Sequence, residues 1–132
     1  MAQFARLSPA TILVVEHEAL VRLELASALE ELGFTVLEAR DSDSAMATVD
    51  AHPEIELMIT SLRMRGSMDG TQLAHHVRDR WPPMKVIVSS GALGIDVKDL
   101  PLGSLVLSKP YGPDALARAV TGLMDERPTN LR

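Results

Sequence analysis

Five short, nearly unbroken apolar runs constrain this chain more than any other feature. Thr11 to Val15 (Thr-Ile-Leu-Val-Val) is continuous and rich in β-branched residues. Such a run suits a strand covered on both faces, as in a parallel sheet layered between helices. Phe34 to Glu38, Glu56 to Thr60, Met84 to Ser89 and Ser104 to Leu107 read as four further strands.

Between these runs the apolar period changes to that of a helix. Val21, Leu25, Ala28, Leu29 and Leu32 fall on one stripe, closed by Gly33. Asp41 or Ser42 caps a helix that carries Ala45, Met46 and Val49 and ends near His52-Pro53. Asp69, with Gln72 three residues later, forms a capping-box pattern ahead of Leu73, Val77 and Trp81, and Pro82-Pro83 stops that helix. Pro113 opens a last helix with Leu116, Val120 and Leu123 facing inward and Pro128 as its stop. Between Gly91 and Gly103 only Ile95 to Leu100 has room for a helix, bracketed by Gly94 and Pro101. That is too short to hold without strong packing, so this segment is expected to be the least regular.

Strands alternating with helices on short connections predict an α/β fold: a doubly wound, five-stranded parallel sheet of flavodoxin-like strand order 2-1-3-4-5. One domain over residues 10–125 is expected, with short tails at 1–9 and 126–132. Its core must be aliphatic, because 46% of residues are hydrophobic and only 3% aromatic. The absence of cysteine excludes disulfides, thiolate chemistry and cysteine zinc sites. A net charge of −5 argues against a nucleic-acid partner. Arg63 with Arg65, and Arg78 with Arg80, read as solvated surface. No apolar run approaches the ~18 residues of a membrane span. Met1 to Ala10 lacks the pattern of a signal peptide, so a cytoplasmic location is expected.

In a doubly wound sheet a ligand site lies beyond the carboxyl ends of the strands. The residues there are Glu16, His17 and Glu18; Ser61, Leu62 and Arg63; Ser89 and Ser90; and Ser108, Lys109 and Pro110. At these ends stand Leu-Val-Val-Glu-His-Glu-Ala-Leu-Val-Arg, Gly-Phe-Thr-Val-Leu-Glu-Ala, Ser-Leu-Arg-Met-Arg-Gly-Ser-Met-Asp-Gly, Val-Ile-Val-Ser-Ser-Gly and Ser-Lys-Pro-Tyr. Taken in this order, from Thr11 to Met124, they resemble the receiver domain of response regulators. The resemblance implies two-component signalling. In that family a histidine kinase phosphorylates an aspartate after strand three. Two acids after strand one help to hold Mg²⁺, and a hydroxyl after strand four and a lysine after strand five contact the phosphoryl group.

By this resemblance Glu16 matches the first acid, Ser89 the hydroxyl and Lys109 the lysine, with Pro110 completing the family's Lys-Pro step, usually a cis bond. His17 stands in place of the second acid, Ser61 in place of the phosphoacceptor and Val106 in place of the switch aromatic. Arg65 replaces a usual loop proline, and Ser67 lengthens that loop by one. Mg²⁺ prefers several hard carboxylate oxygens, and here Glu16 alone remains. The chain therefore reads as a stand-alone, degenerate pseudo-receiver, not an enzyme, with no cofactor and Mg²⁺ binding lost. With no output domain after the last helix, it is expected to act by binding a protein partner such as a histidine kinase, as a monomer or weak dimer. Lys109 is expected to pair with Glu16.

Two other readings use the same residues. A small hydrolase would use Ser61 as nucleophile and His17 as base, but Thr60-Ser61-Leu62 lacks the Gly-x-Ser-x-Gly elbow. A flavodoxin-like cofactor binder would need a Ser/Thr/Gly-rich loop after strand one, where Glu16-His17-Glu18 places acids instead. His75 and His76 diverge around a helix and read as surface, and His52 as a helix end. The seven methionines read as core filler.

Overall fold

The computed structural model describes residues 9–91 and 95–124. Its elements, in chain order, are β1 (Thr11–Val15), α1 (Ala19–Glu31), β2 (Thr35–Ala39), α2 (Ser42–Ala51), β3 (Ile55–Ser61), α3 (Gly70–Arg80), β4 (Lys85–Ser90), β5 (Leu105–Ser108) and α4 (Pro113–Met124). The five strands form one parallel sheet in the order β2-β1-β3-β4-β5, as the alternation predicts.

Successive residues of β1 point to opposite faces, and both faces are covered. Leu13 and Val15 pack with Ala45 and Val49 of α2 and Leu73, Ala74 and Val77 of α3. Ile12 and Val14 pack with Leu25 and Leu29 of α1 and Leu116, Val120 and Leu123 of α4. Burial on both sides explains why β1 is apolar without alternation. Edge strand β2 is only half covered, which is why its Glu38 is tolerated.

The helix starts follow the caps. Asp41 Oδ1 accepts from the Ser44 amide at 2.7 Å, and Asp69 Oδ1 accepts from the Gln72 amide at 2.9 Å; each is one half of a reciprocal capping box. Gly33, at φ +99°, carries the chain out of α1 in a conformation that favours glycine. Leu32, expected on the buried stripe of α1, instead sits at its C-cap and is 44% exposed. Trp81 is the C-cap of α3, half-buried, with the Arg80 guanidinium 5.0 Å from its ring centroid. The expected stop at Pro128 lies outside the described residues.

Between β4 and β5 the described residues hold a single 3-10 turn, Val97–Asp99, in place of a fourth full crossover helix. Two side chains of α3 strap this segment down. His75 Nε2 lies 2.7 Å from the Asp99 carbonyl. Arg78 donates from Nε to the Met84 carbonyl at 2.9 Å and from Nη1 to the Leu102 carbonyl. Arg78 is therefore a partly buried structural tie and not solvated surface; Arg63, Arg65 and Arg80 are exposed as expected.

Candidate functional site

The site begins where β1 stops. Glu16 donates its amide to the Ala39 carbonyl of β2 at 3.0 Å, which continues the strand pairing by one residue. Its side chain is thereby carried inward and is buried. Oε2 accepts from the Glu18 amide at 3.0 Å, and the Glu16 carbonyl accepts from Arg22 Nη1 at 2.8 Å. Arg22 also donates to Glu38 at 3.1 Å, so α1 clamps the loop from above. His17 turns outward, with Nδ1 3.6 Å from Glu16 Oε2.

Ser61 closes β3 in register with Ser89 of β4. Its Oγ donates to the Arg63 carbonyl at 3.0 Å, while the Leu62 amide donates to the Ser89 carbonyl at 2.9 Å. Gly70, at the start of α3, lies so close that a Cβ there would come within 2.3 Å of the Ser61 carbonyl oxygen. The Lys109 amide donates to the Ser90 carbonyl at 2.7 Å, and Lys109 Nζ reaches to 3.7 Å from Glu16 Oε1. The Lys109–Pro110 peptide is cis.

These strand ends enclose a cavity of about 520 Å³ lined by Glu16, His17, Glu18, Ser61, Leu62, Arg63, Ser89, Ser90, Gly91 and Lys109. Nine of the strand-end residues singled out in the sequence thus meet in one place. Ser108 and Pro110 do not join them; Pro110 instead lines a neighbouring groove between α1 and the start of α4. Val106 packs at the edge of the core beneath α2 and α3. His17 and Ser61 share the cavity but no hydrogen bond, since the serine hydroxyl is directed to Arg63 and the imidazole faces Glu16. That arrangement activates no nucleophile. Among the described residues no three His, Asp or Glu side chains come together as a metal-ligand set.

Two features escaped the sequence reading. Tyr111, two residues beyond Lys109, is half-buried, and burial pushes its phenol above the usual range; the nearby Ser89 hydroxyl pulls it back and the Glu16 carboxylate adds a smaller rise. Beside the cavity a second cleft, of about 380 Å³, is lined by His17, Arg40, Asp41 and Arg65. It arises because Asp41 and Arg65 form an isolated parallel bridge that brings the loop after β3 against the start of α2. The proximity of Tyr111 to Lys109 in the chain was a usable signal. The pairing of Asp41 with Arg65 was not, because it joins distant loops.

Comparison with known proteins gives one consistent result. Residues 12–121 match the response regulator receiver domain family. The chain is 30% identical to the sensor kinase CckA of Brucella abortus over 89% of its own length, covering 13% of that protein. It is 30% identical to the transcriptional regulatory protein TcrA of Mycobacterium tuberculosis over 93% of its length, covering 49% of that protein. It therefore spans half or less of the length of these curated relatives. A response regulator receiver protein of Sinorhizobium medicae superposes with a TM-score of 0.85 at 27% identity, covering 93% of this chain and all of the other. The apolar strands, the helical layers and the cavity at the strand ends are those of a two-component signalling module, and the chain belongs to the response regulator receiver domain family.

Proposed function

We propose that this receiver domain is a pseudo-receiver: it takes part in two-component phosphorelay signalling by binding a protein partner, independently of phosphorylation and without catalysis of its own. One observation carries the reading. At the end of β3 stands Ser61, its hydroxyl committed to the Arg63 carbonyl, while Glu16, the buried acid of the cavity, is held by Lys109. An acyl phosphate requires a carboxylate nucleophile, and a serine hydroxyl supplies none. Transfer also requires a divalent cation to offset the phosphoryl charge. Mg²⁺ is bound by carboxylates and water in near-octahedral order. The donor set here does not fit it: Glu16 is already engaged, His17 offers a softer nitrogen, and Ser61 a neutral hydroxyl.

The reading places the domain in the cytoplasm, as a monomer or weak dimer; among the described residues no helix is long and apolar enough to cross a membrane. Its partner is a signalling protein such as a histidine kinase. Support comes from the matched relatives, one a sensor kinase and another a transcriptional regulator. The test is mass spectrometry after incubation with acetyl phosphate and Mg²⁺. The native chain should gain no phosphoryl group. The paired change His17→Asp with Ser61→Asp should restore Mg²⁺ binding and detectable phosphorylation, because Glu16, Ser89 and Lys109 are already in place. Phosphorylation of the native chain at Ser61 or Glu16 would defeat the reading.

A further inference from the structure

We infer that the cleft of His17, Arg40, Asp41 and Arg65, beside the strand-end cavity, docks carboxylate side chains from an acidic segment of the protein partner. The inference rests on the reading of this domain as a partner-binding module, and it names the partner's chemistry. In the cleft two guanidiniums face one carboxylate. With a neutral imidazole this is a surplus of one positive charge, in a chain whose net charge is −5. Arg63, on the wall of the adjoining cavity that also contains His17, extends the cationic rim. An acidic segment is drawn to this rim while the chain as a whole repels it, which favours one docking position.

The acids nearby are engaged, and the arginines are not. Asp41 Oδ1 accepts from the Ser44 amide at 2.7 Å, which commits that oxygen to capping α2. Asp43 Oδ1 accepts from Ser67 Oγ at 2.8 Å. Glu18 is the one acid of the two linings without such a bond, and it lies in the cavity and not in the cleft. Arg40 Nε stands 4.0 Å from Asp41 Oδ2, beyond hydrogen-bond reach, and its side chain is 80% exposed. Among the described residues the Arg63 and Arg65 side chains form no hydrogen bond or ion pair. A planar guanidinium fork matches a carboxylate in two-point contact.

The second observation is independent of charge. The loop that carries Arg65 is fixed to the start of α2. Arg65 and Asp41 form a parallel bridge, and the Arg65 carbonyl accepts from the Ser42 amide at 3.2 Å. The buried Ser42 hydroxyl accepts from the Met68 amide at 3.1 Å. Gly66 turns the chain at φ +109°, where a Cβ would run into the Ser42 hydroxyl and amide nitrogen. Arg40 directly precedes Asp41, so the backbones of both arginines are set before any guest arrives. Docking then orders side chains only, and its entropy cost is smaller than for arginines on a free loop.

The full chain is titrated with an acetylated, amidated hexaglutamate peptide at constant ionic strength. The amides of His17, Arg40 to Ser42 and Arg65 to Met68 are followed by NMR. Saturable shifts with a Kd of about 1 mM or tighter are expected. Arg40→Ala and Arg65→Ala should each weaken binding about fivefold. His17→Asp, which adds an acid to the cleft wall, should weaken it as well. Arg118→Ala, which removes an exposed arginine from α4, should leave the Kd within about twofold. Linear shifts overturn the inference, as do equal shifts from hexaglutamine or a loss at Arg118→Ala as large as at Arg65→Ala. Tighter binding of inorganic phosphate at the same ionic strength would assign the cleft to free anions and overturn it too. Each of these leaves the pseudo-receiver reading intact, since a partner can dock on another face. Phosphorylation of the native chain by acetyl phosphate with Mg²⁺ would end that reading and leave the peptide result standing.

Discussion

Lys109 Nζ lies 3.7 Å from Glu16 Oε1, so the residue after β5 is tied to the residue after β1 across the ends of β3 and β4. The carboxylate side chain is 5% exposed and the lysine 35%. Truncating the lysine leaves a buried charge with fewer partners, whereas removing both charges does not. Lys109→Met should lower stability by about 1–2 kcal/mol, less than for a fully buried pair because water screens the ammonium. Adding Glu16→Gln to Lys109→Met should recover part of the loss. Urea midpoints of the two single variants and the double variant close the cycle. Additive effects would mean that the pair contributes nothing.

Two glycine-to-alanine changes should act in opposite directions. At Gly70 a Cβ would stand 2.3 Å from the Ser61 carbonyl oxygen and 2.7 Å from Leu62 Cα, both backbone atoms that cannot swing aside. Gly70→Ala should cost roughly 2 kcal/mol or more and displace the loop that carries Ser61. At Gly122, exposed on α4, a Cβ meets nothing within 4 Å. Gly122→Ala should add about 0.5–1 kcal/mol from helix propensity alone. Thermal denaturation of both variants decides it; equal shifts would contradict the packing described around Ser61.

The sheet and its order were legible because periodicity is a local signal. Thr11 to Val15 and Asp69 with Gln72 announce a buried strand and a capped helix within a few residues. The site was legible for a related reason: in a parallel sheet every strand end faces the same side, so Glu16, Ser61, Ser89 and Lys109 converge without any contact being known. What the sequence hid were side-chain ties between segments far apart in the chain. Arg78 looks like any surface arginine until the Met84 and Leu102 carbonyls are seen beside it. Ser89 and Ser90 look like any polar strand end until their hydroxyls are seen buried without a hydrogen-bond partner.

The ties from α3 set how firmly the segment before β5 is held. Residues 95–103 contain one 3-10 turn and few amides bonded within the segment. Their hydrogen exchange should be faster than that of β3 and β4. Arg78→Ala removes two bonds to carbonyls and should cost about 1–2 kcal/mol, with exchange in residues 95–103 rising further than in the sheet. A uniform rise across the whole domain would show that Arg78 supports global stability and not this segment.

Tyr111 offers the most direct reading of the site, because it is the one tyrosine in the chain. Burial holds its phenol above the ordinary value of 10.0, with a smaller upward push from Glu16 opposed by Ser89. Phenolate absorbance should therefore rise at higher pH in the folded protein than in denaturant. Glu16→Gln should bring the folded midpoint slightly down, and Ser89→Ala should move it up. The sign for stability follows from linkage. The folded state favours the protonated phenol, so this contribution is fully present below pH 10 and is lost as pH rises from there through the folded midpoint. A folded midpoint equal to the denatured one would place Tyr111 in water and contradict its partial burial near Ser89 and Glu16.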